Sequence, residues 1–317
     1  MGVEGGKAAV YVRVKSPVEI TESSALLGGV RTRTLAVAGE GAPILLLHGF
    51  SDSADTWRPV LAELGAIGRH AVAVDLPGSG RADPIRRRRP LDALDAFTKA
   101  FVLANANGSP VVLAGNSLGG LVALRAARGR ELPLVAVAPI SPGGLAHHRR
   151  LELFERGVRG LAPLLWVLSQ IPVPGRLVTL YAQQVYDRRL LGGRTDPSLM
   201  RYYASHYTGM GDIRRVGGDL LALVDANRAD PLVLDGIRVP VLLIWGGRDR
   251  LADVAGAQLV LDAVAASRLV VFEDCGHCAQ VERPVDVARL LAALPASAER
   301  SARETASPRP LTDDVLP

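Results

Sequence analysis

Val111-Val112-Leu113-Ala114-Gly115-Asn116-Ser117-Leu118-Gly119-Gly120 is a short apolar, β-branched run that enters a Gly-x-Ser-x-Gly turn and continues into a helical pattern over Leu118–Arg128. Strand, sharp turn and helix in that order present a serine hydroxyl at the end of a strand. The turn forces the serine into strained backbone geometry, and the residues two places away must be small for strand and helix to approach each other. It also aims the next amide, that of Leu118, at the place where an oxyanion would form. A Gly-Ser loop or helix cap has similar composition, so the flanking pattern carries the assignment.

Working outward, further apolar runs suited to strands recur at Pro43–Leu47, Ala71–Val74, Leu134–Ala138, Val239–Trp245 and Arg268–Phe272, with weaker ones at Ala8–Val14 and Thr32–Val37 expected as an antiparallel edge. Helical patterns at Thr56–Leu64, Leu91–Ala106, Ala252–Ala265 and Val285–Leu294 alternate with them, Pro284 marking a helix start. Such alternation predicts an α/β fold, a mostly parallel sheet with helices on both faces. It breaks after Ser141. From there to Val239 the patterns are helical, at Leu151–Gly160, Leu164–Ser169, Leu177–Arg188, Ser198–Tyr207 and Leu220–Val224. The expected organisation is a core over 1–141, a helical insertion over 142–234, a second core segment over 235–295 and a disordered polar tail over 296–317.

An activated serine needs a base, and histidine is the side chain suited to that task near neutrality. Of the six histidines, His70 opens a strand, His147 and His148 sit among arginines, and His206 lies in the insertion. His277, in Asp274-Cys275-Gly276-His277, follows the last strong strand at the carboxyl edge where catalytic groups gather in open α/β sheets. The orienting acid is expected between serine and histidine. Asp249, just past Val239–Trp245 in Gly246-Gly247-Arg248-Asp249, has that position; Asp253 is the nearby alternative and helix capping its competing role. His48-Gly49-Phe50 follows Pro43–Leu47, which makes the Phe50 amide the candidate second oxyanion donor, an ordinary glycine turn being the other reading.

These motifs, with Asp75-Leu76-Pro77-Gly78-Ser79-Gly80, resemble the α/β-hydrolase superfamily in its capped branch of esterases, lipases and meta-cleavage product hydrolases. The resemblance covers about residues 30 to 295. It implies an eight-stranded sheet, catalytic residues Ser117, Asp249 and His277, an oxyanion hole at Phe50 and Leu118, and a helical cap from Pro142 to Leu234. It also implies that the Asp75–Gly80 stretch shapes the floor of the site; the family usually has serine two places on, where this chain has Arg81-Ala82. Leu161, Leu164, Leu165, Trp166, Tyr202 and Tyr203 would line an apolar pocket or form the cap's own core. Relatives with epoxide or haloalkane activity need an aspartate nucleophile, which Ser117 argues against. Cys278 replaces the aromatic residue typical after the histidine of meta-cleavage enzymes.

The expected function is hydrolysis of a small apolar carboxylic ester through an acyl-enzyme, with no metal or organic cofactor. Carbon–carbon bond hydrolysis on the same triad and a non-enzymatic small-molecule binding protein are the alternatives. Cys275-Gly276-His277-Cys278 matches a disulfide-isomerase tetrapeptide, but Asp274 precedes it and too little chain follows for a redox domain. A zinc site on the same cluster would need a ligand from elsewhere.

Composition bounds the rest. Apolar residues make up 48% of 317, ample for a globular core, and the formal charge of +5 is carried mostly by arginine, the lysines being Lys7, Lys15 and Lys99. Arg86–Arg89 forms a dense basic run flanked by Pro84 and Pro90, read as a solvated loop rather than a nucleic-acid or lipid contact. Two cysteines exclude a secreted disulfide framework, and the start of the chain lacks a signal-peptide pattern. No run is long and apolar enough to span a bilayer. The expected partner is a small-molecule substrate, with no nucleic acid and no stable membrane insertion, and the expected location is cytoplasmic.

Overall fold

The computed structural model of the protein describes residues 18–86, 88–129, 131–145, 160, 173–192 and 202–306. Eight strands form one sheet: β1 (Thr21–Leu27), β2 (Val30–Val37), β3 (Glu40–Leu47), β4 (Arg69–Val74), β5 (Val111–Asn116), β6 (Leu134–Ile140), β7 (Val241–Gly246) and β8 (Ser267–Phe272). Their spatial order is β1-β2-β4-β3-β5-β6-β7-β8. β1 pairs antiparallel with β2 and β2 with β4, while every pair from β4 to β8 is parallel.

The sheet is covered on both faces because its inner strands are apolar at consecutive positions. Leu45, Leu47, Val72, Val74, Val111 and Leu113 point to one side. There they meet α2 (Pro90–Ala106), α3 (Leu118–Ala126) and α6 (Ala255–Ala263). The residues between them, Ile44, Leu46, Ala71, Ala73, Val112 and Ala114, face α1 (Arg58–Ala66) and α7 (Pro284–Ala306) across Trp57. This alternation follows from the period of two along a strand. At about 1.5–3 kcal/mol per fully buried aliphatic side chain, the two layers fix which way each strand end points.

Between β6 and β7 the described part of the insertion is helical, with α4 (Gly175–Val185), a wider π-type turn over Tyr186–Leu190, and α5 (Met210–Ala229). The expected helices at 151–160 and 164–169 lie outside the described residues save Gly160, as do the expected strand Ala8–Val14, His147 and His148. Among the described residues the edge strand is Thr21–Leu27, a mostly exposed segment no periodicity marks. The ordered core was expected to end at Pro295, but α7 runs on to Ala306 with Pro295 inside it. Proline removes one helical hydrogen bond, and the alanine, glutamate and arginine residues that predominate over 296–306 favour continuation. No helix among the described residues is long and apolar enough to cross a membrane.

Candidate active site

Ser117 stands at the junction of β5 and α3 with φ 53° and ψ −111°, a left-handed conformation that costs a non-glycine residue on the order of 1–3 kcal/mol. Three backbone bonds hold it there. Its N–H donates to Ile140 O at 2.9 Å, and its carbonyl accepts from Leu121 N at 3.0 Å and Gly143 N at 3.1 Å. The two motif glycines are required by contact: a Cβ on Gly115 would strike the Gly119 carbonyl, and one on Gly119 would strike the carbonyls of Leu47 and His48. The elbow thus presses directly on the end of β3.

That contact brings the His48–Phe50 loop beside the serine. A Cβ on Gly49 would lie 3.4 Å from Ser117 Cβ. Leu118 opens α3, so its N–H belongs to the first turn, which a helix leaves without an internal partner. His48 is fully buried. Its Nε2 accepts from Leu76 N at 2.8 Å, so Nδ1 carries the proton and donates to Gly49 O at 2.7 Å. Burial lowers its pKa to about 4, which keeps the ring neutral and the loop tied to the Asp75–Gly80 stretch.

The carboxyl ends of β7 and β8 supply the other two predicted residues. Asp249 Oδ2 accepts from His277 Nδ1 at 2.8 Å, both side chains being nearly inaccessible. Asp249 Oδ1 accepts from the amides of Leu251 at 2.8 Å and Ala252 at 3.0 Å. Burial alone would raise the Asp249 pKa, but the hydrogen bond and charge of His277 and these amides hold it below the ordinary value. Asp253, the alternative acid, accepts from Ala255 N at the start of α6. No hydrogen bond joins Ser117 to His277 among the described residues; Asn116 links their segments, its Nδ2 donating to His277 O at 2.9 Å and to Ile140 O at 3.2 Å. Catalytic hydrogen bonds of this type are commonly long without substrate.

Sequence reasoning missed several residues that shape this edge. Asn116 is one, although it occupies the variable position of the elbow motif. Arg33 is another: it is buried on β2 and donates to Asp75 at 2.9 Å and Asp55 at 2.6 Å. Asp75 also accepts from Ala54 N at 2.7 Å and Arg81 N at 2.9 Å. The Asp75 side of the motif is therefore a clamp on the loop before α1. Tyr207 hydrogen-bonds Ser51, next to Phe50, and Tyr203 at 3.2 Å. Asp52 is buried beside them, and burial pushes its carboxyl up to about 7.

The rival reading of the cysteines does not match the geometry. Both thiols are free and buried, and burial pushes both pKa values up, the reverse of a reactive thiolate. Cys275 faces Glu282, Cys278 faces Asn116 and His277 faces Asp249, so the three side chains do not converge as zinc ligands. Tyr203 packs inside a cluster with Tyr186, Tyr207 and Cys278, whereas Tyr202 lies over Arg58 at 5.4 Å. Leu161, Leu164, Leu165 and Trp166 lie outside the described residues. A cavity of about 230 Å³ beside Ser51 is polar, lined among others by Asp52, Ser79, His206, Asp212 and Arg215.

Residues 44–290 match the model of the alpha/beta hydrolase family. Monoacylglycerol lipase ABHD6 from Mus musculus is 27% identical over 267 residues, covering 80% of this chain and 75% of that protein. A crystal structure of a membrane phospholipase A, a bacterial virulence factor, superposes with TM-score 0.69 at 25% identity over 88% of this chain and 87% of that one. The 2-hydroxy-6-oxo-6-phenylhexa-2,4-dienoate hydrolase of Rhodococcus sp. strain RHA1 shares the fold, with TM-score 0.67 at 21% identity over 87% and 99% of the two chains.

Proposed function

The chain belongs to the alpha/beta hydrolase family, and from that premise we propose that it is a serine hydrolase of carboxylic esters working through an acyl-enzyme. The observation that carries the reading is the buried 2.8 Å hydrogen bond between His277 Nδ1 and Asp249 Oδ2. It fixes the tautomer in which Nε2 is free to accept a proton. His277 takes the Ser117 proton as Oγ attacks the ester carbonyl, and the amides of Phe50 and Leu118 receive the oxyanion. The tetrahedral species collapses as His277 returns the proton to the departing alkoxide. Water, activated by the same imidazole, then attacks the acyl-enzyme, and Ser117 recovers its proton. Asp249 stabilises the imidazolium in both halves and needs no proton of its own. The insertion acts as a cap over this edge.

The names of the lipase and phospholipase relatives support an acyl ester as substrate, with glycerol monoesters beside short apolar esters in the panel to be tested. The experiment is hydrolysis of that panel by wild type and Ser117→Ala. Activity confined to wild type supports the reading; equal activity in both would remove it.

A further inference from the structure

Glu282 has no part in the acyl-transfer scheme, yet two separate segments meet on its carboxylate. Its Oε1 accepts from Gly276 N at 2.7 Å and faces the Cys275 thiol at 3.5 Å, while its Oε2 accepts from Gly192 N at 2.9 Å. Gly276 adjoins His277; Gly192 belongs to the insertion. A second link runs beside the first, where His277 N donates to Leu190 O at 2.7 Å. The two backbones touch: a Cβ on Gly192 would lie 2.5 Å from Gly276 N and 2.7 Å from Cys275 C, and one on Gly276 would strike Gly192 in return. Only glycine on both sides permits this approach.

Asp249 fixes one ring nitrogen of His277, and Asn116 fixes its carbonyl. Neither reaches the stretch just before the histidine, Cys275-Gly276, whose position sets where the ring enters the site. Within it, Cys275 is tied to the core, its N–H donating to Phe272 O at 3.1 Å and its carbonyl accepting from Arg248 N at 2.9 Å, whereas the Gly276 N–H beside His277 is held from outside, by Glu282 with the Leu190–Gly192 strap against it. A carboxylate accepting from two amides makes charge-assisted bonds that are stronger than neutral ones, and it offers a separate acceptor oxygen to each N–H, where a glutamine amide has only one.

We propose that Glu282 is a positioning residue for His277, coupling the seating of the insertion to the placement of the general base. The proposal rests on the Ser117–His277–Asp249 reading. Glu282→Gln keeps size and shape but opposes one N–H with an NH₂ group, which releases either Gly276 or Gly192. Gly192→Ala perturbs the same contact from the insertion side and serves if the first variant fails to fold.

The test measures, on the full chain, the rate of fluorophosphonate labelling, kcat and KM on a chromogenic ester, and the downfield proton resonance of His277 Nδ1–H. The expected result is labelling and kcat lowered by about tenfold to a hundredfold with KM unchanged, since misplacing a catalytic group by about 1 Å costs that much. The His277 resonance should shift or broaden in both variants. Wild-type rates with an unshifted resonance, even at a lowered melting temperature, would overturn the proposal by making Glu282 a structural clamp alone. Wild type that takes no label would overturn the acyl-transfer reading and this proposal with it.

Discussion

Two carboxylates leave the sheet in equivalent places, Asp75 after β4 and Asp249 after β7, and each is buried against a nitrogen base. Asp75 meets Arg33 and two backbone amides; Asp249 meets His277 and two backbone amides. The difference lies in the partner. A guanidinium keeps its proton at any working pH, so the Asp75 constellation can only hold a loop in place. An imidazole can give and take one, so a similar arrangement at the end of another strand can serve a reaction. Burial and charge pairing alone do not separate clamp from catalyst; the titratability of the partner and the presence of a strained serine nearby do.

The comparison is broken most severely by removing charge at Asp249. Asp249→Asn keeps the shape but favours the wrong histidine tautomer, and kcat should fall by about 10⁴ while the melting temperature changes little. A kcat within tenfold of wild type would make Asp249 a second clamp.

The mirror substitution, Asp75→Asn, should do the opposite. It deprives the buried Arg33 of a carboxylate and should destabilise the fold by about 3 kcal/mol, at the low end for a broken buried pair because Asp55 remains. Urea unfolding measures this, and the fraction that stays folded should retain the His277–Asp249 hydrogen bond. Unchanged stability would show that the network is not what holds the loop.

A smaller effect sharpens the contrast at His48, which joins the clamp to the oxyanion loop. Its pKa is near 4 in the fold, below the ordinary 6.5, so its contribution is present above pH 6.5 and is lost as pH falls towards 4. Protonation would break the bond from Leu76 N. Asp52 works in the other direction over much of that range, so the useful quantity is the difference between wild type and His48→Gln at pH 7, 5 and 4. Wild type should lose on the order of 2–3 kcal/mol relative to the variant as the pH falls. Parallel curves would contradict the buried neutral histidine.

Much of this was legible in the chain because apolar runs and helical patterns set the inner strands, and catalytic chemistry confines serine, acid and histidine to strand ends. Ser117, Asp249 and His277 were placed by that logic, and the last two are hydrogen-bonded. What escaped is non-local. Thr21–Leu27 is nearly all exposed, so it carries no alternation; its signal was the Gly28-Gly29 pair, both with positive φ, that turns it back onto β2. Arg33 sits in an outer strand, and nothing in its surroundings announces that Asp55 and Asp75 will arrive from elsewhere. Glu282 resembles any acid just ahead of a helix until the insertion folds back against Gly276. Such residues are defined by their partners, and a single sequence does not name partners.

The account turns on whether Ser117 is chemically activated by this edge of the sheet. Labelling folded protein with a fluorophosphonate and locating the adduct by peptide mass spectrometry tests that without knowledge of the substrate. The predicted result is a single adduct on Ser117, absent in Ser117→Ala and strongly reduced in His277→Ala. No adduct on folded wild type, or an adduct at another residue, would contradict it.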